Sequence, residues 1–248
     1  MLRAMDTAAD GPAGTTAAFF DLDKTLISRS STLAFVPSFY RHGLINRAQA
    51  LRGAMAQLVF RLGGADHQQM ERIKEQLTQL CRGWSVERVT EIVTMNLAEI
   101  IGPIVYAEAH RLIESHREAG RDVFIVSTAG QEMVGPIATM LGASGVIATR
   151  LRHADGLYTG ELEFYAYGEA KARRIRELAA ERDYELEHCF AYSDSVTDLP
   201  MLEAVGHPHA VNPDRQLRRV ALARGWPVLA FAGRLPPAAT LTCEQPHQ

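Results

Sequence analysis

Short apolar runs alternate with segments of helical periodicity along most of this chain. Continuous apolar residues occur in TAAFF (16–20), RDVFIVS (121–127), GVIAT (145–149), HCFAYS (188–193) and HAVN (209–212). Each run has the length of a strand, and unbroken apolarity is typical of a sheet that is covered on both faces. Helical spacing separates the later runs, in EMVGPIATML, EAKARRIRELAAERD, DLPMLEAV and DRQLRRVALARG. The pattern predicts an α/β fold with an open parallel sheet.

A long insertion interrupts this alternation between the first and second predicted strands. About a hundred residues separate them, far more than one crossover helix requires. From residue 31 to residue 118 the apolar positions recur at helical spacing, with breaks at Gly63–Gly64 and at 82–84. We therefore predict an all-helical subdomain of about four helices over 31–106, inserted into an α/β core formed by 16–30 and 107–234. Flexible tails are expected at 1–15 and 235–248, where the composition is turn-prone.

Composition narrows the classes of function and the expected compartment. The chain has 248 residues, a formal charge of -3 and 47% hydrophobic residues, which favours a small ligand over nucleic acid as partner. No apolar run approaches the roughly 20 residues of a membrane span, and the first residues lack the apolar core of a secretion signal. Three scattered cysteines, Cys81, Cys189 and Cys243, cannot all pair with one another. We expect a cytoplasmic protein in a reducing compartment.

Paired carboxylates follow two of the predicted strands. Asp21 and Asp23 come at the end of the first strand, and Asp194 and Asp198 follow the fourth. The carboxyl ends of strands are where open α/β sheets bind ligands, and clustered carboxylates are unfavourable unless a positive charge lies among them. A hard divalent cation fits four acids at two strand ends. Taken alone, Asp21 and Asp23 are equally compatible with an Asx-turn that merely ends the strand.

Candidate phosphate ligands lie near two helix starts. Ser127 and Thr128 end the second predicted strand in VSTAG, where hydroxyls and backbone amides can hold phosphate oxygens. Lys171 lies near the start of a predicted helix, where the helix dipole disfavours a cation unless an anion is close. Ordinary helix capping and a solvated surface lysine are the alternatives for these residues.

Four segments in this order resemble the motifs of the haloacid dehalogenase-like superfamily of phosphohydrolases. They are DLDKT (21–25), Ser127 in VSTAG, Lys171, and SDSVTD (193–198). The resemblance extends to the phosphoserine phosphatase-like branch, subfamily IB, through LGASGVIATRL, GLYTGEL and SDSVTDLPMLEAVGHPHAVNPD. It implies a Rossmann-like core with a helical cap of the C1 type, and a phosphatase that acts on a small phosphorylated metabolite.

The resemblance also implies a role for each residue of the first motif. Asp21 would attack phosphorus as the nucleophile and form an aspartyl-phosphate. Asp23 would protonate the leaving oxygen and then activate water, with Thr25 orienting Asp23. An acid at the position of Asp23 favours hydrolysis, whereas the P-type ATPases of the superfamily carry Thr there.

The remaining motifs would bind the cation and the phosphoryl group. Mg²⁺ would be held by Asp21, the backbone carbonyl of Asp23 and Asp194, with Asp198 as a supporting or water-mediated ligand. Ser127, Thr128 and Lys171 would bind the phosphoryl oxygens.

One departure from the branch concerns substrate choice. Phosphoserine phosphatases carry a Glu nine residues after the nucleophile, where it binds the substrate ammonium, and this chain has Ser30 there. The expected function is therefore Mg²⁺-dependent phosphomonoester hydrolysis with phosphoserine specificity in doubt. A phosphomutase or phosphotransferase, and a catalytically silent binding protein with the same fold, are the alternatives.

Overall fold

A seven-stranded sheet forms the centre of the protein. The structure, a computed structural model, describes residues 15–46 and 78–235. The strands are β1 (Ala17–Asp21), β2 (Asp122–Gly130), β3 (Gly145–Ala154), β4 (Leu157–Phe164), β5 (Phe190–Ser193), β6 (His207–Val211) and β7 (Val228–Leu229). Their order is β4-β3-β2-β1-β5-β6-β7. The predicted fold class, an open α/β sheet, is confirmed, and the sheet is parallel except for the β3–β4 pair, which is antiparallel.

All five predicted strands are present, and the sequence pattern missed two more. β4 follows β3 after a tight turn in which Asp155 and Gly156 both have positive φ, a conformation that suits Asp and Gly. Polar residues at every second position, Thr159, Glu161 and Glu163, interrupt β4, so it lacks the continuous apolarity by which the other strands were recognised. β7 has only two residues, too few for any periodicity.

Helices cover the sheet on both faces. The α-helices are α1 (Ser31–Arg41), α2 (Val86–Ile100), α3 (Ala107–Glu118), α4 (Gln131–Met140), α5 (Glu169–Arg182), α6 (Leu199–Glu203) and α7 (Arg215–Arg224), and residues 78–81 are also helical. No helix within 15–46 or 78–235 combines the length and apolarity that a membrane crossing requires.

Alternating residues of the central strands feed two hydrophobic clusters, one on each face. Phe20 and Tyr192 belong to the cluster that α3 and α4 cover, whereas Phe19 and Phe124 belong to the cluster that α5, α6 and α7 cover. Every residue of β1 is buried, because this strand lies between β2 and β5 and under helices on both sides. The central position of β1 explains its unbroken apolar run.

The described part of the insertion is helical. α1 and α2 lie within it and belong to the same cluster as α3 and α4, with Phe35 and Ile92 fully buried. The predicted helices of 47–62 and most of 69–80 lie outside the described residues, as do most of both predicted tails. The domain boundaries therefore stay a prediction.

The chain enters and leaves the insertion through two adjacent segments. Ile27 and Val105 form an antiparallel bridge. The amide of Ser28 donates to the carbonyl of Ile104 at 2.9 Å, and the amide of Tyr106 donates to the carbonyl of Leu26 at 2.9 Å. The two crossings are thus hydrogen-bonded to each other rather than independent.

A further part of the insertion is attached to the sheet edge. The amide of Gly83 donates to the carbonyl of Tyr158 at 2.8 Å, and the amide of Tyr158 donates to the carbonyl of Trp84 at 3.0 Å. Two residues later the amide of Val86, the first residue of α2, donates to the carbonyl of Gly156 at 2.9 Å. Residues 83–86 are therefore bonded to the outer edge of the sheet at the beginning of β4.

A buried histidine joins α3 to the sheet. His116 is fully buried, and its Nε2 lies 2.8 Å from the hydroxyl of Tyr192. The guanidinium of Arg121 lies 3.3 Å from Nδ1, and because arginine can only donate, Nδ1 accepts and the ring is neutral. Burial, followed by the charges of Arg121 and His209, lowers the pKa of His116 from 6.5 to about 3.

The depressed pKa of His116 makes the fold acid-sensitive. Below pH 6.5 the unfolded chain binds a proton at this histidine and the folded protein does not, so stability falls as the pH drops towards 3. This one group should lower the free energy of unfolding by about 2 kcal/mol at pH 5 relative to pH 8. His116→Gln offers a donor and an acceptor without a titratable proton. Urea unfolding across pH 5–8 should show a smaller loss in this variant, and parallel curves would contradict the assignment.

Candidate active site

The sheet topology brings the predicted site residues to one edge. Asp21 is the last residue of β1 and pairs in register with Val126, so Ser127 follows immediately on the neighbouring strand. On the other side Phe20 pairs with Tyr192, which places the end of β5 beside the end of β1. Asp194 therefore leaves the sheet next to Asp21, at the carboxyl edge where parallel α/β sheets bind ligands.

A buried lysine joins two of the carboxylates. The Nζ of Lys171 lies 2.9 Å from Oδ1 of Asp21 and 2.9 Å from the carboxylate of Asp198. Only 2% of the lysine side chain is exposed. Burial alone would lower the pKa of Lys171, but Asp198 and Asp21 outweigh it and the pKa is raised. Lys171 is thus a charged partner of the site and not a solvated surface lysine.

Lys171 reaches this position because a sharp change of backbone direction at Gly168 precedes the first turn of α5. Gly168 precedes the helix with φ 53° and ψ -125°, a conformation that is essentially restricted to glycine. The helix then places Lys171 within its first turn, facing the sheet rather than solvent. The nearby anions offset the unfavourable helix dipole at this position.

The residues after Asp21 form a tight turn instead of continuing the strand. The carbonyl of Leu22 accepts hydrogen bonds from the amides of Thr25, Leu26 and Ile27 at 3.3, 2.9 and 3.1 Å. Lys24 has a φ of 66°, which lets the chain reverse. This turn returns Thr25 to the end of β1, although Thr25 lies four residues beyond Asp21.

Thr25 contacts different carboxylates from the one expected. Its hydroxyl lies 3.2 Å from Oδ2 of Asp21 and 3.5 Å from Oδ1 of Asp194, rather than on Asp23. It therefore bridges the first and fourth motifs. The sequence could not show this contact, because it depends on the path of the turn.

Asp23 is held by the start of α1. Its Oδ1 accepts a hydrogen bond from the amide of Ser31 at 2.8 Å. Burial raises the pKa of Asp23, and the hydrogen bonds from Ser31 and Ser30 oppose this rise. Lys171 binds Asp21 directly but is only the smallest of the effects that lower the pKa of Asp23, so the two carboxylates of the first motif have different environments.

Ser127 and Thr128 differ in what their hydroxyls contact. Ser127 is buried, and its oxygen accepts a hydrogen bond from the amide of Ala129 at 3.2 Å, so its proton can be donated to an anion. The hydroxyl of Thr128 instead donates to the carbonyl of Ala166 at 2.9 Å. A contribution of Thr128 to phosphate binding would therefore come from its backbone amide.

The acidic cluster, formed by Asp21, Asp194 and Asp198, contains more carboxyl groups than the two lysines that contact it, Lys24 and Lys171. Burial raises the pKa of Asp21, Lys171 opposes the rise, and Asp198 and Asp194 add to it, so the pKa is raised overall. The pKa of Asp194 is also raised by burial, against the effect of Lys24. Lys24 is 51% exposed and lies 3.9 Å from Asp194, so it screens weakly. Oxygen donors with unbalanced negative charge fit a hard divalent cation.

A compact set of side-chain metal ligands occurs elsewhere on the surface. Within the described residues, Glu185, Glu187 and His188 form a group whose ligand atoms lie within 4.8 Å of one another. Two of these three residues are exposed, and such groups commonly hold no ion. The set expected at the sheet edge differs in kind, because it combines the carboxylates of Asp21 and Asp194 with a backbone carbonyl.

Sequence reasoning missed two contacts of the fourth motif. Many members of the haloacid dehalogenase-like superfamily have Gly at the position of Ser193. Here the hydroxyl of Ser193 donates to Asp198 at 2.8 Å. Asp214 binds the amide of Val196 at 2.9 Å from 18 residues further along the chain. Asp214 is recognisable in the sequence as a helix cap before α7, but its contact with the motif depends on the fold.

Known sequences similar to this chain include one family of hydrolases and several named relatives. A sequence profile of the haloacid dehalogenase-like hydrolases matches residues 18–203. An "Inhibition of morphological differentiation protein" of Streptomyces azureus is 63% identical over 217 residues, covering 87% of this chain and 78% of the relative. A "Probable phosphatase" of Mycobacterium tuberculosis is 58% identical over 221 residues, covering 89% and 77%. A "Histidinol-phosphatase" of Neisseria meningitidis is 33% identical, covering 86% and 98%.

Solved structures share the fold. A protein of unknown function from Bordetella pertussis has a TM-score of 0.76 and 30% identity, covering 86% of this chain and 97% of that one. A phosphoserine phosphatase, solved as an analogue of its phospho-aspartyl intermediate, has a TM-score of 0.62 and 18% identity, covering 88% and 94%. At this lower identity the second likeness concerns the fold alone.

The buried lysine should be more important for stability than the exposed one. Lys171→Met leaves Asp21 and Asp198 without their cation and should lower the free energy of unfolding by about 3 kcal/mol at pH 8. The loss should shrink as the pH falls and the carboxylates become protonated. Lys24→Met is the control and should cost under about 1 kcal/mol. Urea unfolding of both variants without divalent cations tests this, and equal losses would contradict it.

Proposed function

Because the chain belongs to the haloacid dehalogenase-like hydrolases, we propose that it is a Mg²⁺-dependent phosphatase that hydrolyses a small phosphomonoester through an aspartyl-phosphate on Asp21. The observation that carries this proposal is the pairing of Asp21 with the buried Lys171 at the carboxyl edge of the sheet. Relatives named as phosphatases support the same reaction class.

Asp21 and Asp23 would divide the chemistry between them. The carboxylate of Asp21 attacks phosphorus, the bond from phosphorus to the leaving oxygen breaks, and Asp23 gives its proton to that oxygen. Asp23 then takes a proton from water as the water attacks the aspartyl-phosphate, which releases phosphate and restores Asp21. The raised pKa of Asp23 favours its role as an acid.

The other residues would position and neutralise the phosphoryl group. Lys171 holds Asp21 in place and offers positive charge beside the attacking oxygen. Ser127 can donate its hydroxyl proton to a phosphoryl oxygen. Asp21, the carbonyl of Asp23 and Asp194 would hold Mg²⁺, which when bound supplies further positive charge to the phosphoryl oxygens. Thr25 would fix the relative positions of Asp21 and Asp194.

Substitution of the nucleophile tests this mechanism. Asp21→Asn should abolish release of free phosphate from para-nitrophenyl phosphate, because an amide of nearly the same shape is a poor nucleophile. Asp155→Asn is the control, since Asp155 is exposed in a turn where Asn is tolerated, and it should keep full activity.

The same assay examines the metal and the acceptor. EDTA should abolish phosphate release by the wild type, and added Mg²⁺ should restore it. Phosphate released in equal amount to the alcohol distinguishes hydrolysis from phosphoryl transfer to another acceptor. Substantial activity in a folded Asp21→Asn protein would disprove the covalent mechanism.

Substrate choice follows from Ser30. Its hydroxyl accepts a hydrogen bond from the amide of Leu33 at 3.5 Å and so caps α1, and it carries no charge for a substrate ammonium. Loss of such a charged contact costs on the order of 2–3 kcal/mol. We expect weak or no hydrolysis of O-phospho-L-serine, and a preferred substrate that lacks an α-ammonium or presents it differently.

A substrate panel with a charge-restoring variant measures this effect. The panel compares kcat/KM for phosphoserine, histidinol phosphate, and sugar, glycerol and lipid-headgroup phosphates. Ser30→Glu should raise the preference for phosphoserine at least tenfold, whereas Ser30→Gln, of similar size but neutral, should not. A wild type that prefers phosphoserine by tenfold or more would overturn the argument from Ser30.

A further inference from the structure

One residue outside the four motifs contacts the loop that carries Asp194. Asp214 follows β6 and begins α7, and it lies half-buried beside the segment 194–198. It is neither a predicted ligand of the cation nor a neighbour of the phosphoryl group in the proposed mechanism. Its contacts nevertheless converge on the fourth motif.

Asp214 binds that loop through both its backbone and its side chain. Its amide donates to the carbonyl of Asp194 at 2.7 Å. Its Oδ2 accepts a hydrogen bond from the amide of Val196 at 2.9 Å. The two contacts lie on either side of Ser195, so they fix the backbone directly after Asp194.

The second carboxylate oxygen of Asp214 anchors the residue to α7. Oδ1 accepts hydrogen bonds from the amides of Gln216 and Leu217 at 2.9 and 2.7 Å. A helix cap needs only one such oxygen, and Ser or Asn caps equally well. Capping therefore accounts for Oδ1 but not for Oδ2, whose bond to Val196 requires a second acceptor oxygen.

The same loop is also held by contacts that do not involve Asp214. The hydroxyl of Ser193 donates to Asp198 at 2.8 Å and accepts from the amide of Ser195 at 3.2 Å. Asp198 is in turn bound by Lys171. The loop is thus held between the Lys171 cluster on one side and Asp214 on the other, and Asp194 lies between the two attachments.

We propose that Asp214 is a positioning residue of the reaction: it fixes the 194–198 loop so that Asp194 presents its carboxylate to the divalent cation. This inference rests on the proposed function. Groups that orient metal ligands without touching the metal typically change metal affinity or activity about 10- to 100-fold when they are replaced. The negative charge of Asp214 also adds to the cation-attracting potential of the cluster.

Substitution of Asp214 separates positioning from capping. In Asp214→Asn the side-chain oxygen can still cap α7, but an NH₂ group then faces the amide of Val196, and two donors oppose each other. Asp214→Ser keeps a capping oxygen and has no atom for Val196. Both variants should raise the dissociation constant for Mg²⁺ about 10- to 100-fold, measured by calorimetric titration of the protein with Mg²⁺ alone.

Kinetics and a matched control complete the experiment. At saturating Mg²⁺ the kcat of Asp214→Asn should return to within tenfold of wild type, because the catalytic groups are intact. Ser85→Ala removes the cap of α2, where Ser85 accepts from the amide of Arg88 at 3.1 Å, away from the acidic cluster. This control should lower the melting temperature and leave the Mg²⁺ dissociation constant unchanged.

The outcomes distinguish the two proposals. A dissociation constant within twofold of wild type, in whichever Asp214 variant is folded, would overturn the positioning role while the proposed function stands. A wild type that binds no Mg²⁺ and releases no phosphate would overturn the proposed function and this inference with it. A raised dissociation constant in the Asp214 variants but not in Ser85→Ala supports the proposal.

Discussion

The ion pair between Lys171 and the carboxylates of Asp21 and Asp198 is the interaction on which the candidate site depends. It joins the end of β1, the start of α5 and the loop after β5, three elements that are distant in sequence. Buried ion pairs contribute little net stability, because desolvation offsets attraction. The ion pairs of Lys171 are therefore better explained by the positions in which they hold Asp21 and Asp198 than by a contribution to stability.

The surrounding groups give each carboxylate a different neighbour. Asp21 faces Lys171, Asp23 faces the start of α1, and Asp194 faces Thr25 and the exposed Lys24. The amide that binds Asp23 belongs to Ser31 at the start of α1, whereas the lysine that binds Asp21 belongs to α5. The direct partners of the two carboxylates therefore lie in different helices.

A feature could be predicted from the sequence where neighbouring residues create it, and not where it depends on residues that are distant in the chain. Continuous apolar runs identified five strands, because burial of β1 and its neighbours on both faces leaves a local pattern. β4 escaped this criterion because Thr159, Glu161 and Glu163 interrupt its apolar residues. The candidate site residues come from four sequence motifs, but the partners of Thr25 and Asp214 depend on the turn at 22–27 and on the packing of α7. Such contacts leave no periodic pattern in the amino-acid sequence.

The attachment of residues 83–86 to β4 has a consequence for association between molecules. An edge strand with unpaired amides and carbonyls is a template for strand addition by another chain. At Gly156 and Tyr158 the outward backbone groups of β4 are already bonded to the insertion, and the opposite edge, β7, has only two residues. The beginning of β4 and the short edge at β7 therefore offer little backbone to a second strand.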